Sequence, residues 1–419
     1  MERYTQCDGE CDGHEGGTDH KEAGRHENSP QSSGFTPFPH ERYITRRSFA
    51  GLAGCAFASL LVGGLAGCAP QANDKGAADK ENGSKDAKPK PEKRTVTNLD
   101  GTTIEVPGEV TSVAAIFGPS YERIVAVGAE DAITCDGDFH LKGWPWSNVV
   151  YKRLNEVPGI PNAHSDLNVE DLVAQGVQAV FCFPNPKQAE AINNAGMVAI
   201  PMASTGKFRD IADSITLYAD VFGTDEAQQR AKAYNEYFDH MVGLVQKRTQ
   251  GISDDNRPGV YLAYTDVLHG YGEKSDMVEV VDLAGGRLVS TELAGSSNIE
   301  VTAEQLVEWN PDYIFISHAG SSGNATPEEA VATALATGDF NNVSAVQKGQ
   351  VNVVPTGVFF WDAGIQKILY LVYLAKTLHP ELFEDVDMKQ LLIEFYEQFF
   401  DYTLTDDQAT RILAHMDPA

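Results

Sequence analysis

A gap-free internal match constrains this 419-residue chain more than any other feature. Asn168-Val169-Glu170-Asp171-Leu172-Val173 runs, seven residues on, into Val180-Phe181-Cys182-Phe183. Thr302-Ala303-Glu304-Gln305-Leu306-Val307 runs at the same spacing into Ile314-Phe315-Ile316-Ser317. Asn168 and Thr302 are N-cap residues, with Asp171 and Gln305 at the third helical position. Each copy therefore reads as a capped short helix feeding a buried strand, and two copies predict two similar α/β lobes. Further apolar runs at residues 113–117, 198–200, 260–264 and 351–354 alternate with helix-period segments, the pattern of mainly parallel sheets covered on both faces. An opening hairpin is expected over residues 95–107, where β-branched residues flank Asp100-Gly101. Between the lobes, residues 224–251 predict one long helix. Thr224 caps it, Asp225 and Glu226 open it, Lys247 and Arg248 close it, and Ala227, Ala231, Tyr234, Phe238, Met241 and Val245 mark one face.

The first 94 residues read as address and tether. Arg46-Arg47-Ser48-Phe49 is a twin-arginine signature, an uncharged run follows, and Leu65-Ala66-Gly67-Cys68 is a lipobox whose cysteine would be acylated. Residues 69–94 mix Lys, Asp, Gly and Pro with almost no large apolar side chains, as a solvated tether does. The expected organisation is signal with hydrophilic extension (1–68), tether (69–94), first lobe (95–223), connecting helix (224–251) and second lobe (252–419). The folded part is then extracytoplasmic and held at the membrane by lipid. Residues 95–419 carry 19 Lys and Arg against 46 Asp and Glu, a net of -27 within a total of -28. Such acidity repels phosphate backbones, so no nucleic-acid partner is expected. Cys135 and Cys182 are the cysteines left after Cys68 and read as a bridge or as two buried thiols.

Taken in order, these pieces resemble one group. They are the lipobox, the tether, a hairpin ending in Val106-Pro107, a strand running into Pro119-Ser120-Tyr121-Glu122-Arg123-Ile124-Val125-Ala126-Val127-Gly128, and two capped Glu motifs around a long helix. The chain is similar over residues 94–415 to the substrate-binding lipoproteins of ABC importers for ferric siderophores, cobalamin and haem. The resemblance implies two Rossmann-like lobes joined by a rigid helix. It also implies a monomer that holds a metal chelate or corrinoid between the lobes and hands it to a permease and its ATPase. Glu170 and Glu304 match the acidic residues that dock on the permease. The chain departs from the group in its second half, where the arginines beyond residue 256 are only Arg257, Arg287 and Arg411, and in the aromatic segment 138–146.

Ligands of open α/β sheets sit beyond the carboxyl ends of the strands. The loops there nominate Tyr121, His140, Trp144, Trp146, Lys187, Tyr264, His269, Tyr271, His318 and Trp361 as ligand contacts. Tyr and Trp would cover the flat faces of a tetrapyrrole or catecholate complex, and the histidines would ligate its metal or bond an oxyanion. No resident cofactor and no free-metal site is expected, since three or four converging ligands cannot be assembled from the spacing. Catalytic residues are not expected either: Gly-x-Ser-x-Gly, His-Glu-x-x-His and Gly-x4-Gly-Lys-Ser/Thr are absent, and Gly270-Tyr271-Gly272 lacks a dinucleotide loop's third glycine. The alternatives are the same fold carrying a small oxyanion or a free metal ion, or an exported enzyme.

Overall fold

The computed structural model describes residues 92–137, 145–163, 165–318 and 326–419. Cys68 with its lipobox, His140 and Trp144 lie outside the described residues. Strands β1 (Lys93–Thr97) and β2 (Thr103–Pro107) form the opening antiparallel hairpin. Gly101 turns it at a φ of 82°, a conformation glycine adopts freely. Arg94 ties the hairpin down, donating at 2.6 Å to the carbonyls of both Asp220 and Val221.

The first sheet is entirely parallel, in the order β5-β4-β3-β6-β7. Its strands are β3 (Val113–Ala115), β4 (Ile133–Gly137), β5 (Gly159–Ile160), β6 (Ala179–Cys182) and β7 (Val198–Pro201). Helices α1 (Ser120–Ala126), α2 (Pro145–Val150), α3 (Val169–Ala174), α4 (Pro186–Asn194) and α5 (Asp210–Phe222) lie between or after them. Helix α6 (Asp225–Thr249) then leads to the second sheet, where β8 (Gly259–Ala263), β12 (Tyr313–Ile316) and β13 (Val351–Val353) run parallel. Short β9 (His269–Gly270) and β11 (Ile299–Glu300) extend that sheet antiparallel, and β10 (Arg287–Leu288) pairs with β8. Helices α7 (Met277–Leu283), α8 (Ala303–Trp309), α9 (Pro327–Leu335), α10 (Ser344–Gln347), α11 (Lys367–Leu378), α12 (Met388–Phe400) and α13 (Asp406–Leu413) complete the chain. The fold is α/β as expected.

The repeat is architectural. Units α3-β6 and α8-β12 each lay their strand parallel beside the opening strand of a sheet, β3 in one and β8 in the other. Thr302 makes a full capping box with Gln305, while Asn168 accepts from the Glu170 N–H. Alternate residues divide between two apolar layers, which is why these strands are apolar throughout. Phe181 and Leu262 join one cluster, whereas Val180 and Ala263 join others on the opposite faces.

One apolar cluster runs through the inner faces of both sheets and takes in every residue of the expected α6 face, with Tyr237 added. Thr224 caps α6 by accepting from the Ala227 N–H, and its 25 residues span about 37 Å. Near its start, Arg230 donates to the carbonyl of Ala126 at 2.7 Å. At its end, Thr249 donates to the carbonyl of Leu283 at 2.8 Å. Tyr234 and Tyr237 meet Phe395 and Phe399 of α12 edge-on. A helix tied at one end to α1 and at the other to α7 resists bending.

Cys135 and Cys182 are free, buried thiols, each pushed up to about 12 by burial. Among the described residues no helix is long and apolar enough to cross a membrane.

Candidate functional site

Strand β3 is flanked by β4 and β6, so the chain leaves its two sides in opposite directions and opens a crevice at its carboxyl end. The same holds for β8 between β10 and β12. Residues from both crevices line one cleft of about 500 Å³. Phe117, Pro184, Met202, Ala203 and Ser204 come from the first sheet's loops; Tyr264, Tyr271 and His318 come from the second's. Leu99 reaches it from the hairpin tip, Arg123 from α1, Asp362 from the turn before α11 and Lys367 from the first turn of α11.

The second-sheet wall is a bonded network. His318 Nε2 lies 2.9 and 3.0 Å from the two carboxylate oxygens of Asp362, and Tyr271 donates its hydroxyl proton to the same carboxylate. Phe360 stacks on the His318 ring at 3.5 Å and Tyr264 leans against it at 4.0 Å, so the imidazole is held in orientation. Burial disfavours the Asp362 anion, but the His318 charge and hydrogen bond, Tyr271 and Lys367 outweigh burial and hold the carboxyl below its ordinary range. Burial and then the Asp362 charge push both the Tyr264 and Tyr271 phenols up, so both stay protonated donors. Lys367, almost wholly buried, pairs with Asp276 at 2.6 Å.

The first-sheet wall carries Arg123, 5 % exposed. Its Nε donates to Ser214 at 2.7 Å and one terminal nitrogen to the Pro119 carbonyl at 2.8 Å. Asp210 is engaged by the Ser204 and Thr205 hydroxyls and the Thr205 N–H. All three cleft carboxylates thus accept from the protein itself, while among the described residues Arg123 and Lys274 form no ion pair. The cleft's uncommitted charge is positive although the whole chain is acidic.

Of the nominated contacts, Tyr264, Tyr271 and His318 line this cleft together. Tyr121 is fully buried in α1, packed on Tyr151. Trp146 is buried, its indole N–H donating to the Met416 carbonyl at 2.8 Å, and Trp361 is 0 % exposed within the core. Lys187 is exposed at the start of α4, where its backbone N–H donates to Asn185, and His269 bonds Asp266 in its own loop; neither lines the cleft. Sequence reasoning missed Arg123, Asp362 and Lys367. They sit on or beside helices, not in the loops after strands where ligands of such sheets are expected. Among the described residues no group of three or more His, Cys, Asp or Glu is placed to hold a metal ion.

On the outside, Glu170 and Glu304 are exposed in the first turns of α3 and α8. One turn on, at matching repeat positions, stand Val173 and Val307, 50 % and 41 % exposed, the large apolar side chains that the described surface leaves bare.

The sequence profile described as periplasmic binding protein matches residues 113–356. The chain belongs to that family. It is 25% identical over 276 residues to the molybdate-binding protein MolA of Haemophilus influenzae, covering 60% of this chain and 75% of the relative. A periplasmic solute binding protein from Veillonella parvula superposes with a TM-score of 0.65 at 22% identity, over 77% of this chain and 97% of its own. The Helicobacter pylori protein CeuE, in a nickel–histidine complex, superposes with a TM-score of 0.60 at 18% identity, over 77% and 99%. The chain is accordingly a periplasmic solute-binding protein of an ABC transporter, extracytoplasmic in placement and a receptor rather than an enzyme.

Proposed function

We propose that this receptor captures a compact oxyanion of the molybdate class, is tethered to the membrane through acylated Cys68 after twin-arginine export, and delivers its cargo to the permease through Glu170 and Glu304. The observation that carries the ligand reading is the charge state of the cleft: its carboxylates are all engaged by protein donors, while Arg123 and Lys274 have no counter-ion among the described residues. The Ser275, Ser296 and Ser297 residues on its walls add hydroxyl-bearing side chains around an oxyanion. The Haemophilus relative, whose name assigns it molybdate, supports the same reading.

The expected haem, cobalamin or catecholate cargo has weaker support. Of the aromatic residues nominated to cover a large flat ligand, Tyr264 and Tyr271 line the cleft, while Trp146 and Trp361 lie in the core. A smaller metal chelate is the second reading. The His318 ring nitrogen away from Asp362 has no hydrogen-bond partner among the described residues, and CeuE is known in a nickel–histidine complex.

The docking proposal draws on pseudo-symmetry. A glutamate followed one turn later by a bare valine occurs on both lobes at equivalent positions, so a partner with two similar arms would meet one acidic and one apolar contact from each lobe. Calorimetry with molybdate, tungstate, sulfate, a ferric hydroxamate, haem and cobalamin tests the cargo. Binding of molybdate and tungstate with no heat from haem or cobalamin is expected; tight binding of a macrocycle and none of the oxyanions would overturn it.

A further inference from the structure

Residue Glu122 is 0 % exposed, yet it belongs to α1 beneath the first sheet and reaches into the segment that follows the second. The Ile365 N–H donates to its Oε2 at 2.7 Å and the Gln366 side-chain amide to its Oε1 at 2.8 Å. A methyl group at Gly364 would stand 2.1 Å from Glu122 Oε2, so the closeness of this approach depends on that glycine. The contact continues away from the cleft. Tyr396 of α12 donates to Gln366 Oε1 at 2.8 Å, the Val358 N–H donates to the Tyr396 hydroxyl at 3.2 Å, and Tyr234 of α6 donates to the Ile365 carbonyl at 2.7 Å. Helices α6 and α12 thus bond the same two residues, Ile365 and Gln366, that the Glu122 carboxylate holds.

The neighbours of these residues in sequence face the ligand. Arg123 follows Glu122, while Asp362, Ala363 and Lys367 flank Gly364–Gln366, and all four line the cleft. This buried contact therefore lies between the guanidinium on one wall and the Asp362–Lys367 pair on the other, nearer to them in sequence than other cross-lobe bonds such as that of Phe208 N–H to Glu279. Burying a carboxyl group is expensive unless its bonds are met, and a contact made only for stability is more often built from apolar side chains. We propose that Glu122 is a positioning residue of the binding site: it latches the second lobe's 364–366 segment to α1 and fixes the width of the cleft across which Arg123 and Lys367 face the ligand.

This rests on the cleft being the ligand site, so its test carries a readout that needs no ligand. Spin labels attached to ketone-bearing unnatural residues at positions 190 and 308, both exposed on outer helices, report the separation of the lobes. The full chain and its Glu122→Ala, Glu122→Gln and Gly364→Ala forms are compared by electron–electron resonance and by calorimetry with molybdate. Glu122→Ala and Gly364→Ala are expected to broaden the distance distribution and weaken molybdate binding by roughly 2- to 30-fold. Glu122→Gln, which keeps one acceptor for the Ile365 N–H, is expected to stay narrow and bind nearly as the parent does. A folded Glu122→Ala or Gly364→Ala protein with parental distances and parental affinity overturns the proposal, even if its melting temperature falls. If Glu122→Ala does not fold, Gly364→Ala decides. If the parent ignores molybdate, the oxyanion reading fails and the distances alone decide the latch.

Discussion

The two walls of the cleft stand on the same helix-to-strand unit but use their polar groups differently. On the second-sheet side, His318, Asp362, Tyr271, Asp276 and Lys367 bond mainly to one another and are locked by aromatic stacking. On the first-sheet side, Arg123 leans on a serine and a backbone carbonyl and keeps part of its guanidinium for the cleft, among small neighbours such as Ala203, Ser204 and Gly206. The same frame thus carries a wall whose polar groups are largely locked, with Lys274 at its edge, and a wall whose arginine is turned to the cleft. Affinity should therefore be more sensitive on the first wall and folding stability more sensitive on the second.

The largest effect that would sharpen this contrast is on stability. Asp362→Asn removes the anion while the neighbouring cations stay buried, and should cost about 3–5 kcal/mol in urea unfolding. The pH dependence has a defined sign. The Asp362 carboxyl is held below the ordinary 3.8, so its contribution is complete above that value and disappears as pH falls through the lower folded value. Between pH 5 and 2, as a test range, the parent should lose stability more steeply than Asp362→Asn; parallel curves would break the assignment.

A smaller effect is expected on the other wall. Arg123→Ala should weaken oxyanion binding by about 10- to 100-fold, the worth of a charge-assisted hydrogen bond, and Lys187→Ala on the same lobe should leave affinity unchanged. Equal losses from both would mean that long-range charge rather than the cleft decides affinity.

The fold was legible because its signals are periodic. The capped repeat, the strands buried on both faces and the α6 face all follow from spacing, which packing must obey. Strand β4 was missed because Ile133-Thr134-Cys135-Asp136-Gly137 carries two polar residues, and its place is fixed only by pairing with β3. The site was half legible. Three residues nominated from loops after strands, Tyr264, Tyr271 and His318, line the cleft, since topology dictates where such loops go. Whether a tryptophan faces a cleft or a core depends on neighbours distant in sequence, and Trp361 sits among α11 residues such as Tyr373 that close over it. Arg123 and Lys367 were invisible for the same reason: each is a polar residue at a largely buried helix position, and only the approach of another element gives it a purpose.

The smallest expected effect concerns the outer faces, where the lobes remain alike. Val173→Ser together with Val307→Ser should change stability by no more than about 0.5 kcal/mol and leave calorimetric affinity untouched. Uptake through the permease should nevertheless fall roughly tenfold, since the two half-exposed valines together lose about 1.5 kcal/mol of apolar burial at the contact. An unchanged uptake rate in cells would remove the valines from the docking surface.

The most direct measurement of the central claim, that one anion is received between the two sheets, is diffraction from molybdate-soaked crystals at the molybdenum absorption edge. A single anomalous peak in the cleft, within hydrogen-bonding distance of Arg123 and facing Lys367, is the predicted result. A cleft without a peak at saturating molybdate, or peaks confined to the outer surface, would contradict it.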